Sequence, residues 1–197
     1  MKKYLITILF LFGSIIFAKD AEYIGSNKCG KCHKKENKGA QLKAWEKGPH
    51  SKTFEILKSD ESAAIAKEKG LKTPAYEAPE CLSCHTTGYA HGGYEVQSEE
   101  FYNQVTEKGK PTKAVKRMIG LQGVGCESCH GAGSEYKKVH KKDYEKSLTL
   151  GLILPTEEVC ITCHNDKSPT FKGFDFDKQY KEISHPFPEG MERKNRK

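Results

Sequence analysis

Four times along the chain, two cysteines separated by two residues are followed at once by a histidine. The pentads are CGKCH (Cys29, Cys32, His33), CLSCH (Cys81, Cys84, His85), CESCH (Cys126, Cys129, His130) and CITCH (Cys160, Cys163, His164), and they use all eight cysteines. With 8 histidines in 197 residues, chance puts a histidine at that offset about once in 25 trials, and in all four pentads about once in several hundred thousand. Two thiols at this spacing add to the two vinyl groups on one edge of a haem, forming thioethers, and the adjacent histidine then binds the iron. Each pentad therefore predicts one covalently held group, four haem c in all. Disulfides and zinc knuckles are the competing uses of such cysteines, but a zinc site joins two CxxC pairs and has no need of a histidine at the same offset in each.

Beyond the proximal ligands His33, His85, His130 and His164, four histidines remain: His50, His91, His140 and His185. The numbers match, and histidine on both faces of an iron suits electron transfer. His140 shares an apolar stripe with Tyr136, Val139, Tyr144, Ser147 and Leu148 on a helix predicted to run from a cap at Ser134 to a stop at Gly151. His50 follows a Gly-Pro break, with Pro49 at the first turn of a helix whose inner face carries Phe54 and Leu57. His185 closes a short helical pattern directly before Pro186. His91 lies in the glycine-rich loop TTGYAHGGYEV, six residues after His85, and a tether that short circles its own haem only when nearly extended. His91 is therefore expected to serve another haem if it serves any and, with glycines beside it, is the one of the four most readily missing as a ligand. His140, carried away from His130, is also expected to serve another haem. Ligands crossing between distant segments would tie the chain together through iron and leave the apoprotein little reason to fold.

The elements around these residues are short. Helical patterns are predicted at 36–47, 50–69, 98–108, 113–118, 134–150 and 175–184, separated by breakers such as Gly70, Pro74, Pro79, Gly109, Pro111 and Pro155, with few strand patterns. The expected fold is mainly α, short helices and long loops wrapped around four covalently attached haems. Hydrophobic residues make up only 36% of the chain, low for one domain of this length unless the porphyrins fill the interior. Residues 1–18, MKKYLITILFLFGSIIFA, read as a secretory signal peptide cleaved near Ala18, followed by a single tetrahaem domain over 19–197 with a basic tail at 189–197. An exported protein is expected, periplasmic or extracellular. Removing Lys2 and Lys3 leaves 31 basic against 26 acidic residues, +5, too weak and too interleaved a charge for nucleic acid.

The succession of a pentad, then Trp45 and His50, then CLSCHTTGY, GVGCESCHGAGS and CITCHN, with FDFDKQYKEISHP at the end, resembles the cytochrome c554 family of tetrahaem cytochromes over nearly all of residues 19–197. The resemblance implies a mainly helical fold, haems in closely stacked pairs, and an electron carrier that in founding members accepts electrons from hydroxylamine oxidation. It implies further that His50 crosses to the haem of Cys126 and Cys129, and that the haem at His85 is five-coordinate.

The favoured reading is a periplasmic carrier moving electrons between redox proteins. A quinol-oxidising membrane complex or a soluble protein would be the donor, and a reductase the acceptor. An enzyme acting on a small nitrogen or sulfur compound at a five-coordinate haem is the alternative, although no CxxCK pentad is present and no catalytic residue stands out. A third reading is an oligomer stacked into an extracellular haem filament.

Overall fold

Five of the helices start on a side chain that accepts a hydrogen bond from the first turn. In the computed structural model, which describes residues 21–187, Ser59, Ser98, Thr112, Asp143 and Asp175 each take the backbone N–H three residues on. Such a bond satisfies one of the donors that every helix start leaves unpaired. In chain order the helices are α1 (Ser26–His33), α2 (Gln41–Lys47), α3 (Thr53–Ile56), α4 (Asp60–Glu68), α5 (Pro79–His85), α6 (Glu99–Tyr102), α7 (Lys113–Ile119), α8 (Cys126–His130), α9 (Tyr144–Thr149), α10 (Glu157–Ile161) and α11 (Phe176–Ile183). Two 3-10 turns, Glu36–Lys38 and Pro49–Lys52, complete the helical elements among the described residues. Extended pairing among the described residues amounts to two isolated bridges, Thr86 with Gln122 and Val105 with Pro111. The mainly α expectation holds. The signal peptide expected over 1–18 and the tail at 189–197 lie outside the described residues.

Several predicted helices are divided. The 36–47 pattern breaks at Gly39 and Ala40, both left-handed (φ 87 and 44). The 50–69 pattern breaks at Ser59, which turns extended to cap α4. The 98–108 pattern stops at Tyr102. The predicted helix 134–150 is helical only over α9: residues 134–142 form turns, and Asp143 restarts the chain as a cap. Ser134 is not a cap; its Oγ accepts from Glu22 N at 2.8 Å and its N–H donates to Glu22 O at 3.1 Å, tying the first described residues to the third pentad's loop.

Phe54, Leu57, Ala66, Ala75, Leu82, Tyr94, Met118 and Leu121 form one core. The Phe54 and Tyr94 rings meet at 5.2 Å, tilted by 55°, and Leu82 and Leu121 are fully enclosed, each contributing about 1.5–3 kcal/mol of burial. Of the buried apolar side chains described, Tyr136 alone comes from beyond residue 121. Among the described residues, the half of the chain carrying the third and fourth pentads thus lacks a comparable protein-only core, while Leu148, Ile153, Ile161, Phe171 and Ile183 are exposed.

Candidate functional site

The second and third pentads are joined by buried polar contacts just outside them. Thr87, enclosed at 1% exposure, donates through Oγ1 to Gly123 O at 2.8 Å and accepts there from Gly125 N at 2.8 Å, while its N–H reaches Leu121 O at 2.9 Å. A side chain at position 125 would displace both hydroxyls: its Cβ would lie 2.4 Å from Ser26 Oγ and 2.8 Å from Thr87 Oγ1. Ser26 opens α1 and accepts from Cys126 N at 3.1 Å, so the first pentad is fixed to the third. Trp45 Nε1 donates to Val124 O at 2.8 Å, which is a specific use for the one tryptophan.

Inside the third pentad, Glu127 is buried at 1% exposure. Its carboxylate accepts from Ile24 N (2.9 and 3.0 Å), Gly25 N (2.7 Å) and Gly133 N (2.7 Å). Burial pushes its pKa up, opposed by those backbone donors and by Arg117. No signal in the sequence marks this role, because the residues between the cysteines of a pentad are free to be polar.

The pentads approach one another at their cysteines. Cys29 lies beside Cys126, which raises the pKa of the first and lowers that of the second. Cys84 lies beside Cys163, which lowers Cys84 and raises Cys163. Cys129 is pushed up to about 11, first by burial and then by the charge of Cys160. First lies beside third, third near fourth, and fourth beside second. No group of three or more His, Cys, Asp or Glu side chains is arranged to hold a metal ion among the described residues.

The histidines fall into pairs. His33 faces His140 with ring centroids 5.9 Å apart, His50 faces His164 at 6.0 Å, and His130 faces His185 at 6.1 Å. Each pair joins one pentad histidine to one of the other four. Metal–imidazole bonds run about 2.0–2.1 Å, so two imidazoles on opposite sides of one iron place their centroids roughly 6 Å apart. Hydrogen bonds fix the tautomers to match. Nδ1 of His85 donates to Thr53 O (2.8 Å), that of His130 to Ile153 O (3.2 Å), that of His140 to Tyr136 O (3.3 Å) and that of His185 to Pro186 O (3.3 Å). A carbonyl only accepts, so the proton sits on Nδ1 and Nε2 keeps its lone pair for a metal. Burial lowers the pKa of His33, His50 and His164, favouring the neutral form that coordinates. His164 also stacks on Phe174 at 4.8 Å. These residues fit haem: three pairs of imidazoles at the spacing one iron would need, each including a histidine next to a pair of cysteines in the chain.

His50 faces His164, whereas His130 of the third pentad faces His185. His91 is exposed and makes no ring contact with another histidine among the described residues. Its loop is pinned away: Gly93 N and His91 N both bond Gly88 O, and Arg117 Nη2 donates to Gly92 O at 2.5 Å. Among the described residues, His85 thus stands without a facing histidine. His140 faces His33 and not His130.

Short helices carrying CxxCH pentads, with histidines facing across them at about 6 Å, define a c-type cytochrome. The family profile described as cytochrome c554 and c-prime matches residues 28–107 and 96–131, and the chain belongs to this family. It is 33% identical over 173 residues to cytochrome c-554 of Nitrosomonas europaea, a match covering 79% of this chain and 63% of that relative. The structure of the reduced state of cytochrome c554 from Nitrosomonas europaea superposes with a TM-score of 0.59 at 25% identity, covering 86% of each chain.

Proposed function

We propose that this chain is an exported, periplasmic electron carrier holding four haem c groups, each attached through the two cysteines of one pentad. The observation that carries the reading is the triple pairing of a pentad histidine with a distant histidine at 5.9–6.1 Å. A haem iron held between two imidazoles supplies a one-electron ferric–ferrous couple and no free coordination site. The chain's residues do the rest: the paired histidines would hold the iron, carbonyls fix their rings, and the pentads lie near one another in the order first, third, fourth, second. That order supports transfer of electrons through the molecule between redox-protein partners. Intact mass should exceed the polypeptide by four haem masses, and acid-acetone should release none. A chain carrying fewer haems, or zinc in their place, sinks the reading.

A second reading rests on His85. With no histidine facing it among the described residues, the site it ligates is proposed to keep one axial position open, where a small nitrogen compound would bind. Cyanide or nitric oxide should then titrate one iron per chain, and a protein that binds neither is a carrier alone.

A further inference from the structure

His33 and His185 belong to different histidine pairs, and one side chain stands between them. Gln41, the first residue of α2, donates through Nε2 to Lys38 O at 2.6 Å and to Pro186 O at 3.2 Å. Both acceptors are carbonyls, so the amide is fixed with its nitrogen on that side. Its Oε1 therefore faces Nδ1 of His33, 3.1 Å away, and accepts its proton. The same Pro186 carbonyl accepts from Nδ1 of His185 at 3.3 Å. An unbroken path runs from the His33 ring through the Gln41 amide and the Pro186 carbonyl to the His185 ring.

The backbone is shaped for this contact. Gly39 has φ 87, and a Cβ there would sit 2.7 Å from both Gln41 Nε2 and Pro186 O. Ala40 comes next at φ 44, an unusual angle for a residue with a side chain. His85, His130, His140 and His185 have backbone carbonyls as Nδ1 acceptors, which substitution cannot alter directly. His33 has a side-chain acceptor, whose strength a substitution can change.

We propose that Gln41 is a positioning residue that sets the reduction potential of the centre ligated by His33 and His140 and links it to the centre ligated by His130 and His185. The proposal rests on the haem ligation proposed above. The acceptor on a ligand histidine's outer nitrogen sets the basicity of its inner nitrogen. A stronger acceptor makes His33 a better donor to ferric iron and lowers the potential; removing the acceptor raises it. Groups in a hydrogen-bonded path polarise one another, so the His185 centre should respond in a smaller measure.

The test compares Gln41→Glu with Gln41→Leu in the haem-loaded protein by spectroelectrochemical titration. Low-spin irons are first counted by electron paramagnetic resonance in wild type and in both variants. Leu should raise the midpoint of the His33 centre, and Glu, at a pH where its carboxyl facing the Lys38 and Pro186 carbonyls is ionised, should lower it, each changing its oxidised-to-reduced ratio at fixed potential about tenfold, or about 59 mV for one electron. A smaller shift should appear at the His185 centre and none at the other two. With the low-spin count intact, shifts of the same sign, or no shift, overturn the proposal while leaving the haem ligation standing. A wild-type protein without low-spin bis-histidine irons overturns both. If neither variant loads, the wild-type His33 Nδ1–H is read by paramagnetic NMR: slow exchange with solvent supports the bond to Gln41, and fast exchange overturns it.

Discussion

Glu127 shows how much a single polar side chain contributes when it is enclosed. Both carboxylate oxygens accept from backbone N–H groups of other segments, Ile24 and Gly25 on one side and Gly133 on the other. Glu127→Gln replaces one acceptor oxygen with an NH2 that confronts an N–H donor, leaving both unsatisfied. The expected loss is about 1–3 kcal/mol, measured by denaturant unfolding of the loaded protein. The pH response has a defined sign. Burial raises the Glu127 pKa, so the folded state holds this proton more tightly than the unfolded chain. Its contribution is full below the ordinary carboxylate range and is lost as pH rises through the raised value; the Gln variant should lack this component. At this scale the cysteines and pentad histidines were legible because their chemistry demands fixed spacing. Gln41 and Glu127 were not, since a glutamine after Ala40 or a glutamate inside CxxC has the same appearance as any solvated polar residue.

Among the elements, the 3-10 turn Pro49–Lys52 positions His50. Proline sets its start, the His50 carbonyl accepts from Val124 N (3.0 Å) and Thr53 Oγ1 (3.1 Å), and Phe54 anchors the next turn in the core. His50→Ala, His140→Ala and His185→Ala should each convert one low-spin iron to high spin. His91→Ala should convert none, because its loop is held against Gly88 and Arg117. Magnetic circular dichroism of the four variants checks this, and a new high-spin iron in His91→Ala would contradict the arrangement. The capped helices were readable in outline, since Ser98, Thr112 and Asp175 precede fair helical patterns. The pentad helices were not: a segment such as SNKCGKCH has no apolar period, and its helix is set by neighbours such as Leu42, which packs against Gly30. The long 134–150 pattern misled because Asp143 satisfies a new helix start better than it continues an old one.

For the whole molecule, charge and site order decide how partners are met. The expected +5 of residues 19–197, taken with the eight propionates and four ferric irons of the four haems proposed above, would come to about +1 in the oxidised protein. Global steering should be weak, and docking should rest on local patches such as Lys137, Lys138, Lys141 and Lys142, which flank His140 in the sequence. Electron-transfer rates to an acidic partner should fall only moderately as salt rises; a fall of several orders of magnitude over a modest increase would show a stronger field than this chain carries. Which histidine faces which pentad was not legible. Pairing depends on how loops such as 86–94 and 121–125 cross, and those crossings are fixed by long-range contacts through Thr87, Trp45 and Arg117 that leave no mark on local periodicity.

Electron paramagnetic resonance of the fully oxidised protein counts the irons by spin state and so reads the ligand arrangement directly. Three histidine pairs and a lone His85 predict three low-spin ferric signals and one high-spin signal per chain, four in total. Four low-spin irons, or more than one high-spin iron in the intact protein, would contradict it.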